Sequence, residues 1–546
     1  MNAEKLAGLL FPQVAETVDD LEKQYPTRTL PEGAKVTRMG PSPTGFMHLG
    51  NLYGAIADER LAHQSGGVFF LRIEDTDQKR EVEGGVKTIL SAFREYGLPF
   101  DEGATEEGES GVYGPYYQRR REEIYHICAK QLVLQGKAYP CFLTEEELAG
   151  IREEQAAKKL DFGCYGEFAR YRDCAYEELE KRVADGEPWV LRYRSEGNAQ
   201  NHIKTTDLIR GTLELPENIQ DVVLLKKDGI PTYHFAHVVD DHLMRTTHVV
   251  RGEEWLATLP IHLQLFSAMG WKQPKYLHTA HLMKQDGAGK RKLSKRKDPE
   301  LSLSFYHEKG YSPAAVKEYL MTLLNSNFEE WRTANPDASM DDFPFSIKKM
   351  SVSGALFDIQ KLDDTSRNVV GRMSAEEVYV QLTDWAGEYD PDFAALLRRD
   401  KDYTLAALTV GRNGPKRRKD ITAWSDAKEY LRFYFDELFQ PDYTLPERVT
   451  PAKAKEILEG YEFLPGEDAS LWFERVKALA ESVGYASNMK EFKQNPGAYE
   501  GNVGDVSMVL RLAITGRQQS PDLQEVMQIL GKNRIEQRLS LMLKTL

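Results

Sequence analysis

Two stretches far apart in the chain carry residue types suited to phosphate chemistry. The first is Lys35-Val-Thr-Arg-Met-Gly-Pro-Ser-Pro-Thr-Gly-Phe-Met-His-Leu-Gly-Asn51. Gly45 and Gly50 let backbone approach a ligand closely. A helix beginning just after them would offer unpaired N–H groups to phosphate. His48 and Thr44 are then placed to touch a polyphosphate. The second stretch is Lys290-Arg-Lys-Leu-Ser-Lys-Arg-Lys297, which follows Asp286-Gly-Ala-Gly289 and is expected as a mobile cationic loop. Its ammonium groups suit negative charge developing on a leaving pyrophosphate. Alone, one reads as a surface turn and the other as a solvated basic loop; together they point to nucleotide chemistry.

The elements around the first stretch support this. A β-prone run precedes the Pro- and Gly-rich turn. Leu52, Ala55, Ile56, Arg60 and His63 then recur at helical spacing, predicting an amphipathic helix from Leu49 to about Gln64, stopped by Gly66-Gly67. A second apolar run, Val68 to Ile73, ends in Glu74-Asp-Thr-Asp77. Strand, Gly-containing loop, helix and strand make a βαβ unit, with its ligand at the carboxyl ends of the strands.

Farther along, helices are expected at Val86–Phe93 (closed by Gly97), Ile124–Leu132, Glu145–Lys159 and Pro260–Met269, with an acidic, Gly-rich loop over 101–114. Strands are expected at Pro188–Arg194, Ile219–Lys226, Pro231–Asp241 and Thr247–Glu254. From about 301 onward the pattern is amphipathic helix, as at Ala314–Leu324, Ala427–Leu438 and Leu471–Val483, without an internal repeat.

At 546 residues the chain exceeds a single core, and about three to five domains are expected. It is 41% hydrophobic and 29% charged, with no apolar run of about 18 residues that would span a membrane. Glu4, Glu16, Asp19, Asp20 and Glu22 are wrong for a signal or transit peptide, so a cytoplasmic location is expected. A net charge of −14 removes any global pull toward nucleic acid. RNA contact is left to local basic patches at 290–297 and Arg412–Lys419, the second of which reads equally as a solvated loop. Cys128, Cys141, Cys164 and Cys174 form no Cys-x-x-Cys pair and are expected as free thiols.

Pro41-Ser-Pro-Thr-Gly-x-x-His-x-Gly50 and Lys292-Leu-Ser-Lys-Arg296 resemble the two signature motifs of class I aminoacyl-tRNA synthetases. Arg72-Ile-Glu-Asp-Thr-Asp77 and Arg251-Gly-Glu-Glu-Trp255 narrow the resemblance to the glutamyl and glutaminyl branch, most closely the bacterial glutamyl-tRNA synthetases. It runs from about residue 20 to the C-terminus and includes Leu510–Arg517. Position 51 is Asn where many class I enzymes carry a second His; this branch usually lacks that His.

The resemblance implies an α/β fold: a Rossmann-type catalytic domain with an inserted α+β acceptor-binding domain, followed by all-helical stem-contact and anticodon-binding domains. The implied boundaries are 1–34 for an N-terminal helical extension, 35–139 and 230–300 for the catalytic halves, and 140–229 for the insert. The stem-contact domain would take 301–380 and the anticodon-binding domain 381–546. Implied substrates are L-glutamate, ATP with Mg²⁺ and tRNA(Glu), with tRNA(Gln) as a second candidate, and a monomer is expected. Relatives that bind zinc begin their site with Cys-x-Cys, which Cys141-Phe-Leu143 breaks, so no structural zinc is expected.

An enzyme that activates glutamate must hold two carboxylates and one ammonium beside ATP, hence buried cations and one anion. By resemblance Arg38, Ser42, Glu74, Tyr233, His237 and Arg251 fall on the glutamate positions, with Glu74 the amine partner. Which arginine takes which carboxylate stays open. Relatives often carry Asn at position 237; a His there would titrate near neutrality and make glutamate affinity depend on pH between about 6 and 8. Pro43, Gly45, His48, Gly50, Glu254, Trp255 and Lys295 are expected at ATP. Thr44, His48, Gly50, Lys292, Ser294 and Lys295 would carry charge stabilisation, with no protein general base and no dedicated metal cage. A glutaminyl-tRNA synthetase is the nearest rival, but those usually end in β-barrels. An enzyme that glutamylates a modified tRNA base would lack the long second half, and a small-molecule nucleotidyltransferase would have no use for it. A non-catalytic RNA-binding paralogue should have lost His48, Lys292 or Lys295.

Overall fold

The computed structural model describes residues 3–412, 414 and 417–546. It divides into two compact units, Met1–Phe305 with Lys317–Asp358, and Tyr306–Val316 with Ile359–Leu546. The stretch expected as one stem-contact domain, 301–380, is thus shared between the units.

The first unit is built on parallel strands. Val36–Met39 pairs with Val68–Leu71 in the register Val36↔Val68 to Met39↔Leu71, and Phe70 pairs on to Glu102. The loop expected over 101–114 contains the Glu102–Ala104 and Glu109–Ser110 strands, which close this sheet as an antiparallel pair. A second sheet holds His248–Gly252 parallel to Lys275–Thr279. The backbone of Thr247 donates to the Val36 carbonyl at 3.0 Å, joining the two halves at their first residues.

The Leu49–His63 helix crosses between these strands. Its apolar residues sit on every side, with Leu49, Leu52, Ala55, Ile56 and Ala62 each 1% exposed or less, so the helix is enclosed rather than amphipathic. Each leucine or isoleucine among them contributes about 1.5–3 kcal/mol by leaving water. N-terminal residues Leu6, Phe11, Leu21 and Tyr25 are buried in one core with Val36, Phe70 and Phe235, so 3–34 is part of the unit rather than an appendage.

Two readings of the chain are corrected here. Pro231–Asp241 is not a strand: Tyr233–Leu243 is a helix burying Phe235, Ala236, Val238, Val239 and Leu243. A hairpin went unseen, His202–Asp207 paired with Gly211–Pro216; through Asp207↔Tyr276 it extends the second sheet. A further antiparallel sheet, Ala138–Cys141, Val190–Tyr193 and Val223–Leu225, occupies 138–225.

Among its described residues the second unit contains no strand. Its helices include Ile359–Arg372, Ala375–Tyr389, Ala469–Ser482, Val503–Thr515 and Leu523–Leu543, packed on one core that contains Leu382, Trp424, Tyr434, Val506 and Met527. Their starts are set locally: Ser374 and Glu377 exchange hydrogen bonds with each other's backbone N–H, as do Asn502 and Asp505. In the basic stretch 412–419, Asn413, Pro415 and Lys416 lie outside the described residues. Arg412 donates to the Leu408 and Val370 carbonyls and Arg418 pairs with Asp420, so these guanidinium groups are committed within the unit. The four cysteines are free thiols.

Candidate active site

A cavity of about 650 Å³ opens at the carboxyl ends of the Val36–Met39, Val68–Leu71 and His248–Gly252 strands, a volume ordinary for a small-molecule site. Of the residues expected to act, Arg38, Ser42, His48, Gly50, Glu74, Tyr233, Arg251, Glu254, Trp255 and Lys292 line it. Pro43, Thr44, Gly45, Ser294, Lys295 and His237 do not. The first strand's close approach to the site depends on Gly40, where a Cβ would collide with the Glu74 carboxylate.

His48 is the N-cap of the Leu49–His63 helix. Its Nδ1 accepts from the Asn51 N–H at 3.3 Å, and Asn51 Oδ1 accepts from the His48 N–H at 3.1 Å. An accepting Nδ1 leaves the proton on Nε2, so the ring can donate. Burial holds the imidazole below its usual range, with Glu254 opposing and the Lys292 and Lys295 ammonium groups reinforcing. Asn51 was singled out in the sequence only for not being His; here its backbone N–H holds the His48 imidazole and its side chain accepts from the His48 N–H.

The expected mobile loop is instead a hairpin. Leu282–Asp286 pairs antiparallel with Gly289–Lys292 around Gly287-Ala288, where Gly287 takes φ +56°. Leu293 is buried, and Asp298 gathers the segment after it. Its carboxylate accepts from Arg291 at 2.5 and 2.8 Å and from the Ser294 N–H at 2.9 Å. The hydrogen bonds from Arg291 hold that carboxyl far below the usual carboxylate range. His48 bridges Ser302, and His48 and Lys292 both line the cavity, so both signature segments reach one rim. Lys292 reaches the cavity; Lys295 lies just outside it on the Phe46 ring.

Charge at the floor is tightly paired. Arg38 Nε donates to both Asp241 oxygens at 3.2 and 3.3 Å. Arg72, fully buried, joins Asp241 at 2.7 Å and Glu74 at 3.0 Å. Burial pushes the Glu74 carboxyl up, against the pull of Arg72 and Arg38. Arg251 differs. Its Nε donates to His278 Nε2 at 2.9 Å, Nη1 lies 3.1 Å from His262 Nδ1, and it makes no carboxylate ion pair among the described residues. Its Nη2 is buried without a hydrogen-bond partner. His278 is held in that accepting tautomer by Asp207, 2.8 Å from its Nδ1. A lone guanidinium among neutral imidazoles is prepared for an anion.

His237 is corrected. It is fully buried beneath the lining, with Nε2 3.0 Å from the Tyr276 hydroxyl and Nδ1 3.0 Å from Asp241. Burial pushes its pKa down to about 3, so it does not titrate between pH 6 and 8. Lining residues that the sequence did not single out include Tyr53, Asp58, Thr279 and His281. Of these, Asp58 opens a charged run, Asp58-Glu-Arg60, all of it buried in the helix.

The chain matches the family model of class I tRNA synthetases (E and Q), catalytic domain, over residues 35–364, and that of an anticodon binding domain over 399–543. It is 54% identical over 546 residues to a glutamate–tRNA ligase of Acetivibrio thermocellus, covering 100% of both chains. To a glutamate–tRNA ligase of Clostridium perfringens strain 13 it is 48% identical, over 99% of this chain and 100% of the relative. A crystal structure of a glutamate tRNA ligase from Elizabethkingia meningosepticum in complex with its amino acid superposes with a TM-score of 0.75 at 30% identity, covering 94% of this chain and 99% of that one. With a helical second unit that has no strand among its described residues and both signature segments on one cavity rim, the chain belongs to the glutamate–tRNA ligases, in the glutamyl branch of the class I aminoacyl-tRNA synthetases.

Proposed function

We propose that this cavity is where the ligase reaction runs: L-glutamate and ATP give glutamyl-adenylate and pyrophosphate, and the glutamyl group then passes to the 3′ end of tRNA(Glu), releasing AMP. The observation that carries the reading is the pairing of an uncompensated Arg251 with a Glu74 carboxylate in one cavity. In this reading Arg251 takes a substrate carboxylate and Glu74 the ammonium. Arg38, already neutralised by Asp241, acts through hydrogen bonding more than net charge. Tyr233 and Ser42 complete the amino-acid end.

Adenylation is attack of the substrate carboxylate on the α-phosphorus, so positioning and charge stabilisation suffice. His48 would donate from Nε2, and Lys292 and Lys295 would meet the charge on departing pyrophosphate. Gly50 and the helix start it opens leave room for phosphate, with Glu254 and Trp255 at the nucleoside side. Among the described residues no group of three or more His, Cys, Asp or Glu is placed to hold a metal. That donor set fits a Mg²⁺ ion carried on the nucleotide's own phosphates, where it would offset phosphate charge.

We assign the acceptor end of the tRNA to the insert at 140–229 and the anticodon to the helical second half, with a monomer acting in the cytoplasm as the working unit. The test is ATP–pyrophosphate exchange with glutamate or glutamine, each with and without total tRNA. Exchange with glutamate supports the reading, and dependence on tRNA would tie activation to tRNA binding. Exchange with glutamine, or none, overturns it. Charging of purified tRNA(Glu) and tRNA(Gln) then separates a strict enzyme from one that also uses tRNA(Gln).

A further inference from the structure

Asp58 sits in the middle of the enclosed Leu49–His63 helix, 1% exposed, and lines the cavity. Its backbone carbonyl accepts from the Thr37 hydroxyl at 2.8 Å, but Oδ1 of its carboxyl is wholly buried and has no hydrogen-bond partner. A buried carboxyl left without partners costs free energy that a functional group must recover on ligand binding. We propose that Asp58 is a substrate-binding residue whose carboxyl donates a hydrogen bond to a carboxylate oxygen of the amino acid held in this cavity. This rests on the reading of the cavity as the glutamate site.

The charges beneath the cavity carry the argument. Three buried arginines pair with buried acids: Asp241 takes Arg38 and Arg72, Glu74 takes Arg72, and Asp240 takes Arg121 at 2.7 Å. None of these three hydrogen-bonds Asp58. With its proton on, the floor is neutral and the group is a donor; with it off, the cavity holds an unpaired anion. Burial pushes this carboxyl well above the usual range, with Arg38 opposing and Asp241 reinforcing.

Charged groups on the packed elements face it without hydrogen-bonding Oδ1. Arg38 faces it from the Val36–Met39 strand and Asp241 from the Tyr233–Leu243 helix; the Val68–Leu71 strand carries no titratable group. On the His248–Gly252 strand, His248 is pushed down to about 4, and Arg251 is turned to His278 and His262. Glutamate, with two carboxylates and one ammonium, brings one net negative charge, which Arg251 matches. An ionised Asp58 would add a repelling charge, so affinity should fall as pH rises.

The test is glutamate-dependent exchange, with tRNA supplied, for Asp58→Ala and Asp58→Asn. For Asp58→Ala the expected result is a KM for glutamate raised about tenfold or more, the worth of one hydrogen bond to a charged group, with kcat and KM for ATP within about twofold. Asp58→Asn, which keeps a neutral donor, should return KM to within about threefold of the parent. An unchanged KM in Asp58→Ala, or equal losses with both substrates, overturns the inference. Should Asp58→Ala fail to fold, the pH profile decides: KM rising at alkaline pH in the parent and not in Asp58→Asn supports it, and superimposable profiles overturn it. Arg251→Ala is the control for the site itself, because unaltered glutamate KM there would sink the cavity reading and not Asp58 alone.

Discussion

The ammonium of Lys295 rests 3.6 Å from the centroid of the Phe46 ring. One belongs to the downstream cationic segment and the other to the Pro- and Gly-rich loop, so a cation–π contact ties the two signature motifs together. At an exposed site such a contact is worth about 0.5–1 kcal/mol. Phe46→Ala should therefore change kcat/KM for ATP by only about two- to fivefold, and Phe46→Tyr should restore it. A loss as large as that of removing Lys295 would mean the ring does more than hold the cation.

In the proposed reaction, Lys295→Ala removes a charge that would meet the leaving pyrophosphate. Its kcat should fall by roughly 10²–10³ with little change in KM for ATP, the signature of a lost transition-state donor. Pre-steady-state adenylate formation checks this, and near-normal turnover would take Lys295 out of the chemistry.

Asn51→Ala removes the side-chain acceptor for the His48 N–H and keeps the backbone N–H that donates to His48 Nδ1. Loss of that half of the capping box should cost about 1 kcal/mol of stability. The imidazole stays held by the backbone, so kcat should change by no more than about twofold. A thermal melt and a rate measured together separate the two effects.

The buried imidazoles predict acid lability of the first unit. His234 is pushed down to about 4 and His237 to about 3, chiefly by burial. Their folded pKa values lie below the unfolded value of about 6.5, so between these limits the unfolded chain binds more protons. Stability is therefore full above about pH 6.5 and is lost as pH falls toward the folded values, by about 2 kcal/mol per imidazole by pH 5. Thermal melts at pH 7 and 5 test this. His237→Asn should lessen the drop, and KM for glutamate should stay flat from about pH 6 to 8 as far as His237 is concerned.

Much of this was legible before any coordinates. Pro41–Gly50 announced a turn and helix start, Gly66-Gly67 its stop, and the two basic and Gly-rich segments their shared ligand. Legibility failed where tertiary packing overrode local pattern. Phe235, Val238 and Val239 have strand-like propensity, yet Asp240 and Asp241 among them are drawn into buried arginines, which fixes a helix. The His202–Asp207 hairpin alternates between exposed and half-buried positions and offers no apolar stripe to read. His237 read as a titrating residue of the glutamate site because its burial, against Tyr276 39 residues away in sequence, is not visible locally.

That unread hairpin has a practical consequence. Asp207 orients His278, and His278 orients Arg251, so a segment that looks like a detachable tRNA-gripping module also aims the guanidinium at the amino-acid pocket. Grafting the insert of a sister enzyme onto this scaffold would exchange RNA preference and amino-acid affinity at once. A chimera meant to alter only the former has to keep Asp207 and the strand that presents it.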